Sequence, residues 1–148
     1  HVVSDSHLRE ILDKVKRPCI RYTEATEENV TQADCLIIDC YGLLSSIYRY
    51  GEISYIGGGF GVGIHNVLEA AVYGIPVIFG PNNKKFREAQ HLLEQKGGFE
   101  VTGYDDFKRL MDKFLSDEAY LQQAGKAAGN YVNHNAGALE KIMKDITL

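Results

Sequence analysis

Ile53-Ser-Tyr-Ile-Gly-Gly-Gly-Phe-Gly-Val-Gly-Ile-His-Asn-Val-Leu-Glu-Ala-Ala-Val-Tyr-Gly-Ile-Pro-Val-Ile-Phe79 reads as a strand, a glycine-rich turn, a helix and a second strand with little chain to spare between them. Ile53 to Ile56 is a short apolar run of strand type, and helical spacing begins at His65 or Asn66 and continues to Tyr73. Leu68, Ala71, Val72 and Ile75 supply the apolar stripe of that helix, while Asn66, Glu69 and Tyr73 share another face. Pro76-Val-Ile-Phe79 reads as the next strand. A strand, helix and strand in this order close as a right-handed crossover between parallel neighbours.

Working outward, the same alternation persists. Ser4-Asp-Ser6 caps a first helix carrying Leu8, Ile11, Leu12 and Val15, which Pro18 ends. Cys19 to Tyr22 is a short strand, 23–32 is a polar loop, and Cys35 to Asp39 is a further buried strand. A short helix over 43–50 carries Leu44, Ile47 and Tyr48 inward. Beyond Phe79, Phe86 to Gln95 is a helix stopped by Gly97-Gly98, and Phe99 to Val101 is a last strand. Three helical patterns close the chain: Phe107, Leu110, Met111 and Phe114; then Leu121, Ala124, Gly125, Ala128 and Val132; then Leu139, Ile142, Met143 and Ile146. The expected class is α/β, a Rossmann-like doubly wound parallel sheet with additional C-terminal helices. Ligands of such sheets bind beyond the carboxyl ends of the strands, so the loops after Asp39, Ile56 and Phe79 are where chemistry belongs.

The 148 residues, 45% hydrophobic and 24% charged, suit a single domain with its own core, taken here as 1–148. A formal net charge of -4 without a basic stripe excludes nucleic acid as the partner. Cys19, Cys35 and Cys40 form no CxxC pair and sit in or beside apolar runs, so buried free thiols in a reducing compartment are expected rather than disulfides or zinc ligands. No apolar run reaches the ~18 residues of a membrane span, so the polypeptide is expected to be soluble. A start at His1-Val-Val without Met reads as the edge of a fragment, with His1 of uncertain origin. His7, His91 and His134 have no partner at metal-ligand spacing and read as structural.

The turn from Gly57 to Gly63 fixes the class of ligand. Glycines let the backbone approach a ligand closely, and the helix that follows presents unpaired N–H groups to an anion. The dinucleotide pattern G-x-G-x-x-G fails, because from Gly57, Gly59 or Gly61 the third glycine's place is filled by Val62, Ile64 or Asn66. There is no Walker A run either. A carboxylate one turn into an anion-binding helix suits a ribose diol better than a phosphate, which makes Glu69 a sugar-nucleotide feature. The other reading is open at this stage: Asn66 caps the helix, Glu69 is a solvated first-turn acid, and His65 is structural.

These residues resemble a family. Tyr55-Ile-Gly-Gly-Gly, followed by Gly63-Ile-His-Asn-Val-Leu-Glu-Ala-Ala and Pro76-Val-Ile-Phe-Gly-Pro81, is similar to the signature of bacterial 3-deoxy-D-manno-octulosonic acid (Kdo) transferases: G-G-S, then G-G-H-N-x-L-E-A-A, then P-V-x-x-G-P. Asp39-Cys-Tyr-Gly-Leu-Leu44 resembles the family's D-T-M-G-E-L, and Asn133-His-Asn-Ala-Gly-Ala its N-x-G-A. The resemblance implies the C-terminal, donor-binding half of a GT-B glycosyltransferase, holding CMP-Kdo opposite an N-terminal domain absent from this sequence. That domain would carry the lipid A precursor and the general base, leaving this chain with no catalytic residue and inactive alone. Neither a metal nor another cofactor is implied, and the whole protein would work at the cytoplasmic face of the inner membrane in lipopolysaccharide core synthesis. By position, Gly57, Gly58, Gly59, His65 and Asn66 would meet the donor's phosphate or carboxylate, Glu69 its ribose, and Tyr41, Gly42 and Leu43 its cytosine.

Four positions depart from the signature: Gly59 for Ser, Ile64 for the second Gly of G-G-H-N, Leu43 for the acid of G-E-L, and Lys85 for Asn. Lys84, Lys85 and Arg87 form a positive cluster suited to an anionic donor or to solvent. The runner-up is a GT-B transferase or epimerase using a UDP-sugar, against which the His-Asn pair weighs. A noncatalytic ligand-binding or regulatory α/β domain, such as a receiver, is a further alternative. A receiver needs an acidic cluster at its strand ends, and only Asp39 fits.

Overall fold

The computed structural model describes residues 4–146, with the side chains of Asp5 and of 137–146 outside that description. It divides into two compact units, 1–46 and 47–148. In the first, helix α1 (Asp5–Lys14) starts on Ser4, whose hydroxyl accepts from the His7 amide. Only Leu8 of its expected apolar face is buried; Ile11 and Leu12 are exposed. Strands β1 (Cys19–Arg21) and β2 (Cys35–Ile37) pair in parallel with Cys19 opposite Cys35. The cysteines are free thiols as expected but half-buried rather than buried, because this short sheet leaves much of its surface open. Burial and the neighbouring Cys35 thiol push Cys19 above the usual thiol range. The polar loop contains two single 3-10 turns, Tyr22–Glu24 and Val30–Gln32. Helix α2 is one turn, Leu44–Ile47, and Leu44 faces solvent instead of a core.

In the second unit β3 (Ser54–Ile56), β4 (Val77–Phe79) and β5 (Gly98–Glu100) form a parallel sheet in that order. Period-two alternation on β4 divides the core. Val77 and Phe79 face a layer with Ile56, Val67, Ala70 and Ala71, together with Ala89 and Leu92 of helix α4 (Arg87–Glu94). Ile78 faces the opposite layer with Phe114 of helix α5 (Tyr104–Ser116). Both faces of the sheet are therefore covered, the doubly wound arrangement that alternating strands and helices predict. The last two helical patterns lie on one continuous helix, α6 (Glu118–Ile146). A single glycine costs a helix only about 1 kcal/mol, so Gly137 does not interrupt it.

One glycine role differs from its sequence reading. Helix α4 ends in a Schellman turn whose left-handed residue is Lys96 (φ 59°), with Lys96 N–H donating to Leu93 and Gly97 N–H to Leu92. Gly97 is required instead by packing, since a Cβ there would stand 2.5 Å from the Ala128 nitrogen. A Cβ on Gly125 of α6 would likewise come within 2.3 Å of the Gly74 carbonyl oxygen.

Candidate functional site

The glycine turn after β3 is closed on itself. Gly58 (φ 90°) and Gly63 (φ 142°) occupy backbone conformations that side chains disfavour, and the Gly58 carbonyl accepts from both Gly61 and Gly63. A Cβ at Gly58 would lie 2.2 Å from the Gly63 oxygen, so the loop cannot form with another residue there. The tip projects Phe60 and Val62 into solvent. Gly59 packs back to back with Gly80 of the loop after β4, each leaving under 3 Å for a Cβ on the other. A serine at Gly59 would not fit this approach, which is a physical reason for that departure from the signature.

Chain beyond the turn departs from the expected long helix. The His65 amide donates to the Gly57 carbonyl at 3.1 Å, so it belongs to the turn and not to a helix. Asn66 then folds its side chain onto the backbone, Oδ1 accepting from Leu68 N–H at 3.0 Å. Helix α3 consequently begins at Leu68 and ends at Ala71, and Val72, expected in the apolar stripe, is exposed. Four residues carry too little aligned dipole for an N-terminal anion site of the kind the sequence suggests.

What the turn does bring together is side chains. The His65 ring lies against Gly57 and Gly58, its Nε2 3.4 Å from where a Gly58 Cβ would stand. Asn66 Nδ2 donates to Glu69 Oε1 at 3.0 Å, which fixes the half-buried carboxylate and leaves its second oxygen available. Burial, joined by the Glu69 carboxylate, pushes the Tyr48 phenol above the usual range. A cavity of about 270 Å3 opens beside Ile64, His65, Asn66, Val67, Leu68, Phe86 and Glu88, and Glu69 is not among its lining residues.

Asn82 and Asn83, not singled out by sequence, hold the two loops in place. Asn82 donates from its amide to Gly59 and from its side chain to Gly61. Asn83, 1% exposed, donates to Gly80 and to Glu100 Oε2, and accepts from Gln90. The doubled Asn after Gly80-Pro81 is the signal that could have found them, since short amides satisfy loop carbonyls.

Tyr41, Gly42 and Leu43 belong to the first unit. Tyr41 is exposed, Gly42 has φ 89° with open space around it, and the half-buried Leu43 accepts from the Ser46 hydroxyl. Asp39, just before them, is fully committed. It accepts from the Thr23 hydroxyl at 2.6 Å, the Thr23 amide at 3.0 Å and Arg21 Nε at 2.8 Å. The hydroxyl first, then the amide and the guanidinium, hold its carboxyl at about 2 against the opposing effect of burial. An acid spent in this way is not the free phosphate acceptor of a receiver. Among the described residues no three His, Cys, Asp or Glu converge as metal ligands would, and no helix is long and apolar enough to cross a membrane.

No family profile matches the chain. Among curated proteins it is 28% identical, over 95% of its length, to the 3-deoxy-D-manno-octulosonic acid transferase of Rickettsia felis, covering 31% of that protein. The chain is homologous to the Kdo transferases. The Aquifex aeolicus Kdo transferase is 37% identical over 57% of the chain and 25% of its own length, and that of Chlamydia muridarum is 29% identical over 73% and 27%. The chain thus spans about a quarter to a third of the length of the curated proteins it matches. Its fold is that of the C-terminal CMP-Kdo binding domain of WaaA from Acinetobacter baumannii, with a TM-score of 0.74 at 17% identity over 86% of this chain and 67% of that one.

Proposed function

We propose that residues 1–148 together form the donor half of a GT-B Kdo transferase and bind CMP-Kdo. The observation that carries this reading is the grouping of His65, Asn66 and Glu69 behind a glycine turn at the carboxyl end of β3. It is supported by homology along nearly the whole chain to Kdo transferases and by the likeness of fold to a CMP-Kdo binding domain. In this reading the backbone at Gly57 and Gly58 and the His65 imidazole meet the anionic part of the donor, while Gly59, buried against Gly80, holds the turn in place. Asn66 contributes by aiming Glu69, whose second oxygen accepts from the ribose hydroxyls.

The remainder of the full-length protein would hold the lipid A precursor and supply the general base that activates its hydroxyl, at the cytoplasmic face of the inner membrane. Positioning and stabilisation of the departing CMP are this domain's share of the chemistry. Titration calorimetry with CMP, UMP, UDP and NAD tests the reading: CMP is expected to bind, weakly, and in preference to the others. Preference for UDP would favour a UDP-sugar enzyme, and no binding at all would leave a noncatalytic domain. Glu69→Gln is expected to weaken CMP by about 1–3 kcal/mol, the range for a hydrogen bond to a charged group. An unchanged affinity would remove Glu69 from the site. Detectable Kdo transfer by the 148 residues alone would contradict the placement of the base elsewhere.

A further inference from the structure

Cys19 and Cys35 stand at the same register position of the parallel pair β1 and β2. Residues opposed in this way turn their side chains to one face, with backbones about 4.8 Å apart, inside the roughly 4.4–6.8 Å that a disulfide spans between Cα atoms. The register is pinned at both ends. Beside the cysteines the Asp34 and Cys35 N–H groups donate to the Pro18 carbonyl at 2.9 and 3.1 Å, and Arg17 pairs with Asp34 at 3.2 Å. At the far end Arg21 and Thr23 meet Asp39. Contacts that involve no sulfur thus hold the two thiols opposite each other, and a one-residue slip would break them. Both thiols are free and half-buried, so a small solute reaches them, and Cys35 is near enough to help raise the Cys19 thiol above the usual range. Cys40 lies past the end of β2 and faces no thiol in the ladder.

We propose that Cys19 and Cys35 are a redox modification site, joined by a disulfide when low-molecular-weight disulfides accumulate and separated again when thiols return. A thiolate from one cysteine attacks a sulfur of glutathione disulfide and expels a glutathione thiolate. The second cysteine's thiolate then attacks the mixed disulfide and expels another. Two protein thiols are oxidised, one glutathione disulfide is reduced to two glutathiones, and the protein's thiol protons pass to the expelled thiolates. The Cβ atoms of a disulfide sit about 3.8 Å apart, so β1 and β2 must draw together by roughly 1 Å. That strain makes the bond easy to reduce, as a reversible crosslink requires. The raised Cys19 thiol governs the rate of exchange, not its product. The site is independent of the donor reading.

Incubation of the reduced chain with glutathione disulfide, followed by thiol titration and peptide mass mapping, tests it. Titratable thiols are expected to fall from three to one, with Cys19 joined to Cys35 and Cys40 still free. Excess reduced glutathione should restore all three. Cys40→Ser should lose both of its thiols, whereas Cys19→Ser and Cys35→Ser should gain no internal crosslink. The parent chain and Cys40→Ser keep both partners in place, so the test stands even if either of the other variants folds poorly. Three thiols surviving oxidation, stable glutathione adducts on the parent chain, or a crosslink through Cys40 would overturn the proposal. So would disulfide-linked dimers as the main product on nonreducing electrophoresis, or a bond between Cys19 and Cys35 that excess reduced glutathione leaves intact.

Discussion

Two parallel sheets in one chain are held by different forces. In the first unit β1 and β2 are stapled by a carboxylate: Asp39 gathers the Thr23 hydroxyl and amide and the Arg21 guanidinium, and among the described residues the only buried apolar side chains there are Leu8 and Ile37. In the second, β3, β4 and β5 lie between two apolar layers whose helices press to within a Cβ of the backbone they cover. The lesson is that parallel pairing alone does not state what stabilises it. A polar staple responds to pH, while a close-packed core responds to volume.

The largest expected effect sharpens the packing side. Gly125→Val places a side chain where Gly74 already stands, against backbone that cannot yield, and should cost more than about 3 kcal/mol, the upper range for overpacking. Circular dichroism should show residues 47–148 melting far lower or not folding. Phe114→Ala comes next at about 3–5 kcal/mol, because Phe114 is 1% exposed and contacts the rings of Phe99 and Tyr120. Chemical denaturation would measure it, and a loss below about 1 kcal/mol would mean that the second layer is loosely packed.

Asp39→Asn tests the polar side. Its folded pKa of about 2 is depressed, so its stabilisation is complete above the unfolded value near 4 and fades as pH falls through about 2. The native first unit should therefore lose stability in that acid window. Asp39→Asn should be less stable at neutral pH and show no such limb, while a limb unchanged in the variant would assign it to other carboxylates. The smallest effect is Lys108→Met. Its partner Asp112 is one turn away and both are more than half exposed, so the melting temperature should not move measurably.

What was legible in the sequence was local. The alternation of strands and helices, the cap at Ser4, and the adjacency of His65, Asn66 and Glu69 to the glycine turn depend on neighbours a few residues away. What was not legible depends on distant partners. Nothing near Gly59 names Gly80, and nothing near Gly97 or Gly125 names Ala128 or Gly74. Helix α3 was overextended because periodicity ignores the side-chain bond by which Asn66 holds its own segment out of the helix. Leu44 and Val72 fit an apolar stripe, yet their helices are single turns with little face to bury. Asn83 reaches Glu100 across 17 positions of chain, a distance over which no spacing rule speaks.

Helix α6, 29 residues and about 43 Å long, contributes to both apolar layers like a shared axle. Ala124 is seated in one and Ala128 and Tyr131 in the other, one turn apart. Rotating or sliding it to relieve strain on one side dislodges it from the other, so neither side can be retuned alone. Heat should find no half-melted state with one side intact, and a single sharp transition is the behaviour of a rod gripped from both directions.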